Sequence, residues 1–258
     1  MRFSFCASTQ YIPAVIEAGF DCVDLRVQNA FAATIPEDEY RLKRAELDKY
    51  DIPRISAVTL IPRTFRLLGN NSDVETVKDY IRITFRRAKE LGLENIVFGS
   101  APARDLPDGF DVTAGMYQMV EFSKFLADEG AKNNLTVVLE PLHKKEANTF
   151  NTVASGALLV QMVNHPNFKL LTDYYHFTAD DNDLTSLALS MPLIRHAHIA
   201  TSLNRRYPGV EESDYSAWMN VLKTGGYDGV ISVEASGDIS VEVLAKSVEV
   251  LRNAWQNA

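Results

Sequence analysis

Two cysteines in 258 residues, with no CxxC and no closely spaced pair, leave this chain neither a disulfide framework nor a thiolate zinc site. Cys6 and Cys22 fall inside apolar runs and are expected to be reduced core residues. Long hydrophobic runs are missing as well: no uninterrupted apolar stretch approaches the ~18 residues a membrane span needs. The opening MRFSFCAST has neither the basic leader nor the apolar centre of a signal peptide. A cytoplasmic protein with no membrane partner is therefore expected. Positive charge is in deficit, with 26 Lys and Arg against 34 Asp and Glu, a net charge of -8 and a pI near 5.2. Phosphate neutralisation needs a basic surface, so no nucleic-acid partner is expected. What is present is a 46% hydrophobic complement, ample for a core. No linker, low-complexity segment or composition shift interrupts the chain, so residues 1 to 258 read as a single domain.

Short apolar runs alternate with amphipathic segments eight times. The strand candidates are RFSFC (2 to 6), DCVDLR (21 to 26), ISAVTLI (55 to 61), NIVFGS (95 to 100), LTVVLE (135 to 140), KLLTD (169 to 173), HAHIA (196 to 200) and GVISVE (229 to 234). Helical patterns lie between them, and Gly92, Asn133-Asn134 and Gly225-Gly226 supply stop signals. Strands that are continuously apolar belong to a parallel sheet covered on both faces. The fold class predicted is α/β, a single (β/α)8 TIM barrel, for which a length of about 250 residues is ordinary.

Such a barrel carries its chemistry at the carboxyl ends of the strands. Four side chains fall there, one per strand: Glu140, Asp173, His198 and Glu234. Three carboxylates and one imidazole would repel one another unless protonated or bound to a divalent cation. Hard oxygen ligands with one imidazole suit manganese best, with magnesium or cobalt as alternatives and zinc still open. Glu140 and Glu234, on strands predicted to stand well apart, would flank a substrate with a carboxylate on each face. That arrangement serves proton abstraction next to a carbonyl, hence isomerisation, epimerisation or elimination. His196 shares the parity of His198 and is expected one layer deeper, as a hydrogen-bonded core residue. Gly99, Ser100 and Arg104 are candidates to line the pocket, and the run RRAKE (86 to 90) reads as a solvated helix face.

Glu140-Pro141-Leu142 followed by Glu146 and Asn151-Thr152, the Asp173-x-x-His176 pair, His198-Ile199, the segment Asn204 to Gly209 and Val233-Glu234 together resemble the sugar isomerase/epimerase family with the xylose-isomerase-like TIM barrel, and its ketose 3-epimerases in particular. The resemblance implies Glu140, Asp173, His198 and Glu234 as ligands of one divalent metal, Glu140 and Glu234 also serving as catalytic acid and base. It implies Glu146, His176 and Arg205 as substrate-binding residues, a small sugar or sugar derivative as substrate, and a homo-oligomer. The chain departs from the pattern at His143, where asparagine is usual, and at Ala200-Thr201-Ser202, where an acidic residue is usual. His143, three residues beyond Glu140, is a further catalytic candidate because an imidazole can move a proton at neutral pH. It supports the alternative of a lyase similar to the large subunit of C-glycoside deglycosidases, which would eliminate an aglycone from a 3-oxo-glycoside and would need a small partner subunit. A hydrolase similar to the family's endonucleases fits less well, since five histidines and an acidic surface serve a multinuclear zinc site and DNA poorly. A non-catalytic sugar-binding barrel is the remaining alternative.

Overall fold

A computed structural model describes all residues from Met1 to Ala258. Its strands are β1 (Arg2–Ala7), β2 (Cys22–Arg26), β3 (Arg54–Val58), β4 (Asn95–Phe98), β5 (Thr136–Leu139), β6 (Phe168–Asp173), β7 (Ile194–Ile199) and β8 (Val230–Val233). They form one eight-stranded sheet in the order β3-β2-β1-β8-β7-β6-β5-β4, and every ladder is parallel. The two edge strands meet at the seam, where the Glu94 N–H donates to the Ile55 carbonyl at 3.0 Å, so the sheet is a nearly closed barrel. Helices surround it. The long ones are Val74–Glu90, Val112–Lys132 and Val241–Asn257, and none is long and apolar enough to cross a membrane.

The helices form where a buried stripe recurs at helical spacing and a side chain holds the first free N–H groups. Val74–Glu90 buries Val77, Tyr80, Ile81, Thr84, Phe85 and Ala88 on one face. Asp111 accepts from the Ala114 N–H at 2.8 Å to start Val112–Lys132. Thr152 and Ser155 cap one another's backbone at 3.1 Å to start Val153–Val163. Residues at positive φ follow several helices, including Asn134 (57°) and Gly226 (75°), as the stop signals predict.

Two main apolar compartments result, beside a third cluster of only Cys22, Ile55 and Val230. The larger lies between barrel and helices and takes Phe3, Phe5, Val23, Leu25, Ile231 and Val233 from the outward faces of the strands. A smaller cluster of Cys6, Val58, Val97, Val138 and Leu171 fills part of the barrel interior. The opposite side of that interior is polar, built from Ser4, Asp24, His196, His198 and Ser232, all fully buried. Val138 and Leu171 sit two residues before Glu140 and Asp173, so they floor the mouth of the barrel on that side.

Two expectations need correction. The third strand ends at Val58, not at 61: Thr59 takes φ of 61°, which turns the chain off the ladder, and Gln28 Nε2 donates to the Thr59 and Leu60 carbonyls instead. The run at 86 to 90 is not wholly solvated. Arg87 is buried, donating to the Ala32 and Ile35 carbonyls at 2.6 and 2.9 Å, pairing with Glu37 at 3.0 Å and lying over the Tyr40 ring. A residue type that is usually solvated is here spent on closing a loop.

Candidate metal centre and substrate pocket

Glu140 and Glu234 each stand one residue past a strand, yet their N–H groups continue the ladders, to the Phe98 carbonyl at 3.2 Å and the Ile199 carbonyl at 3.1 Å. That fixes both carboxylates at the barrel mouth. Asp173 ends β6, and its Oδ1 accepts from the N–H groups of Tyr175 (2.7 Å) and His176 (3.4 Å). The same bonds aim its other oxygen inward: Oδ2 is buried and has no hydrogen-bond partner. His198 presents Nδ1 to Glu140 Oε1 at 3.1 Å and to Glu234 Oε2 at 3.3 Å. One ligand atom from each of Glu140, Asp173, His198 and Glu234 lies within 4.8 Å of all the others.

The electrostatics match the crowding. Burial, then the neighbouring Glu234 charge, pushes Glu140 up to about 7. Burial also raises Asp173. Glu234 is held well below the carboxylate range despite its burial, by His198 and Arg205. Burial works against a charged His198, but the surrounding carboxylates raise it well above the ordinary imidazole value. Three acids converging on one point, an orphaned buried oxygen and a single imidazole make a donor set that fits a divalent cation.

Arg205 crosses the mouth. At φ of 52°, it sends Nη2 to Glu234 Oε2 at 2.8 Å and Nη1 to Glu146 Oε1 at 3.2 Å, with its guanidinium over the Tyr175 ring. A cavity of about 460 Å³ opens beside it, lined by Thr59, Ser100, Glu140, Glu146 and Glu234 among others. Gly99 lines it too, and a side chain there would overlap Glu140 Oε2. Arg104 lies beneath rather than in the wall: fully buried, it donates Nη2 to the Glu140 carbonyl at 2.9 Å. His176 is buried, which pushes it down to about 3 and keeps the ring neutral. Its Nδ1 accepts from the His143 N–H at 3.3 Å, so the ring proton sits on Nε2.

His143 is only 5% exposed. Its Nδ1 accepts from the Lys145 N–H at 3.2 Å, and its Nε2 lies 3.3 Å from Glu146 Oε1. The four candidate ligands Glu140, Asp173, His198 and Glu234 thus share one mouth with Arg205 and Glu146, and His176 Nε2 stands 3.9 Å from Asp173 Oδ2. Sequence reasoning missed Asp24, fully buried inside the barrel with Oδ2 2.7 Å from His196 Nε2. An aspartate interrupting the apolar run CVDLR was the available signal. Glu140 and Glu234, expected well apart, converge within reach of one imidazole nitrogen instead, because their strands tilt both side chains toward the barrel axis.

Fold and cluster together define a metal-associated (β/α)8 barrel. The chain belongs to the xylose isomerase-like TIM barrel family, whose model matches residues 12–254. A ketose 3-epimerase from Arthrobacter globiformis is 23% identical over 243 residues, 93% of this chain and 81% of that protein. An L-ribulose 3-epimerase from Methylomonas sp. (strain DH-1) is 30% identical over 135 residues, 52% of this chain and about half (47%) of that protein. The crystal structure of a 3-keto-D-glucoside 4-epimerase from E. coli superposes with a TM-score of 0.79 at 18% identity, over 98% of this chain and 99% of that one, which is a likeness of fold. Family membership and the clustered acids and histidine point to an active site of the metal-dependent sugar isomerase/epimerase type.

Proposed function

We propose that this protein is a divalent-metal-dependent epimerase or isomerase that moves a proton next to the carbonyl of a keto-sugar or keto-glycoside. The observation that carries the reading is the convergence of Glu140, Asp173, His198 and Glu234 within 4.8 Å at the mouth of a polar cavity. These four residues would hold the ion. Bound there, a divalent cation polarises a carbonyl or enediolate oxygen and so acidifies the neighbouring C–H. Glu140 and Glu234 are the groups placed to take the carbon-bound proton and to return one, each keeping a second carboxylate oxygen beyond the one a cation needs. Arg205 offers guanidinium N–H groups to substrate oxygens once they replace its present partners Glu146 and Glu234. His176, neutral with its proton on Nε2, is a donor 3.9 Å from Asp173 Oδ2.

His143 bears on the choice between epimerisation and elimination. Its Nδ1 accepts a backbone N–H, so a neutral ring carries its proton on Nε2, the nitrogen 3.3 Å from Glu146 Oε1. Such a ring orients a substrate-binding carboxylate, which favours epimerase or isomerase chemistry over a lyase in which His143 is the base.

Proton NMR in deuterated solvent, with manganese pre-loaded and then diluted below its broadening limit, across ketoses, keto-glycosides and hydroxy-aldehydes, is the test. Loss of the signal next to the carbonyl identifies the substrate even without net turnover. Glu140→Gln and Glu234→Gln keep an oxygen and remove the base, so each should lower the rate by about a hundredfold or more. Normal exchange in both variants would remove them from proton transfer, and no exchange with any carbonyl compound would sink the reading.

A further inference from the structure

The barrel interior beneath the site is not uniformly apolar. Ser4, Asp24, His196 and His198, all fully buried, form a polar vein between β1, β2 and β7. Asp24 Oδ1 accepts from Ser4 Oγ at 2.8 Å, and Oδ2 lies 2.7 Å from His196 Nε2. The same Oδ2 is 3.8 Å from His198 Nε2, a buried ring nitrogen with no hydrogen-bond partner. The other face of that ring, Nδ1, is the one turned to Glu140 and Glu234. His196 stacks edge-on against His198 with ring centroids 5.1 Å apart, which holds the second ring in this orientation.

We infer that Asp24 is the positioning residue of the metal centre: its carboxylate holds the ring proton of His198 on Nε2 and leaves the Nδ1 lone pair free to face a cation. This rests on the metal-binding reading above. An ionised carboxylate only accepts hydrogen bonds, so it favours a proton on the nitrogen turned toward it. Left alone beside Glu140 and Glu234, His198 Nδ1 would take a proton from or share one with those acids, and a protonated nitrogen cannot ligate. With a cation drawn to Nδ1 the ring keeps a single proton, on Nε2, where Asp24 is the carboxylate 3.8 Å away; partners of this kind orient ligating imidazoles and raise their basicity. Cys6 Sγ is the other group within reach, in a cluster with Asp24 and His198, but a neutral thiol is a weak acceptor. A buried acid that served only packing would need no second imidazole beside it, since Ser4 and His196 already occupy both its oxygens.

The test is Asp24→Asn, whose amide can present N–H groups to His198 Nε2 and so drive the ring proton to Nδ1. Zinc(II) and manganese(II) affinities of parent and variant would be measured by competition with a chromophoric chelator, alongside far-UV dichroism. The expected result is a folded variant whose affinity for both ions falls about 10–100-fold. Unchanged affinity in a folded variant overturns the inference while leaving the metal site standing. Failure of the parent itself to bind either ion sinks the metal-binding reading and this inference with it, a different result from the first. If Asp24→Asn does not fold, the zinc-loaded parent decides: in a ¹⁵N-labelled sample, His198 Nε2–H should appear as a downfield, solvent-protected proton showing a nuclear Overhauser contact with the Asp24 side chain. A signal that exchanges freely or lacks that contact overturns the inference.

Discussion

Gly99 and His143 show how single residues shape the mouth of the barrel. At Gly99 the backbone passes so close to Glu140 Oε2 that any Cβ would overlap it. The carboxylate would have to leave its place beside His198, so Gly99→Ala should weaken ion binding and destabilise the protein by about 1–3 kcal/mol, the usual cost of overpacking. Urea melts with and without a divalent ion measure both effects; a variant with the parent's affinity would show that Glu140 has room to move. His143 acts in the opposite way, by bringing Nε2 to 3.3 Å from Glu146 Oε1. If its Nε2–H only steadies Glu146 as a polar neighbour, His143→Asn should raise KM by roughly fivefold, the equivalent of about 1 kcal/mol. The pH profile of kcat should keep its shape. Loss of a limb from that profile would show His143 to be a group that moves protons.

Among the elements, helix starts carry separable increments of stability. Asp111 holds the first turn of Val112–Lys132 through the Ala114 N–H, at an exposed position outside the residues that line the cavity. Asp111→Ala should therefore lower stability by about 1 kcal/mol and leave kinetic constants alone; a change in KM would mean that this helix is coupled to the pocket. The elements themselves were mostly legible in the sequence, since all eight predicted strands exist and Gly226 and Asn134 stop helices where expected. Their ends were less so. β3 stops at Val58 because Thr59 adopts a left-handed conformation, which a threonine does not advertise, and Tyr80 and Gln28 supply the partners that make it tolerable. Arg87 was misread for a related reason: its helix pattern places it beside solvated neighbours, while the loop carbonyls that bury it come from residues more than fifty positions away. The four candidate ligands could be read from strand ends because a parallel barrel delivers one strand end per unit to the same mouth. Asp24 interrupts an apolar run, but its role was not legible there, because His196 on β7, separated from β2 by β1 and β8 in the sheet, reaches it only across the curved barrel interior.

At the scale of the whole molecule, the barrel spends stability to gather like charges. Glu140, Asp173 and Glu234 are drawn into one mouth, and burial drives the first two toward their neutral forms. Arg205 offsets part of that repulsion through Glu234 at 2.8 Å and stands 3.9 Å from Asp173 Oδ2. A cation held at the same point would offset more of it and, binding only the folded chain, would stabilise by mass action. At a free concentration about a hundred times its Kd, that amounts to about 2.7 kcal/mol. For a chain of this size each kcal/mol moves Tm by about 2–4 °C, so manganese in such excess should raise the melting temperature of chelator-treated protein by roughly 5–11 °C. Asp173→Asn should lose most of this shift, since it removes the charge whose second oxygen has no other partner. The melts should be run at low and moderate salt: groups this buried are poorly screened, so the shift should persist at both. A melting temperature that does not respond to manganese, magnesium, cobalt or zinc would mean that the three carboxylates are reconciled by protons and Arg205 alone, and that the barrel mouth holds no ion.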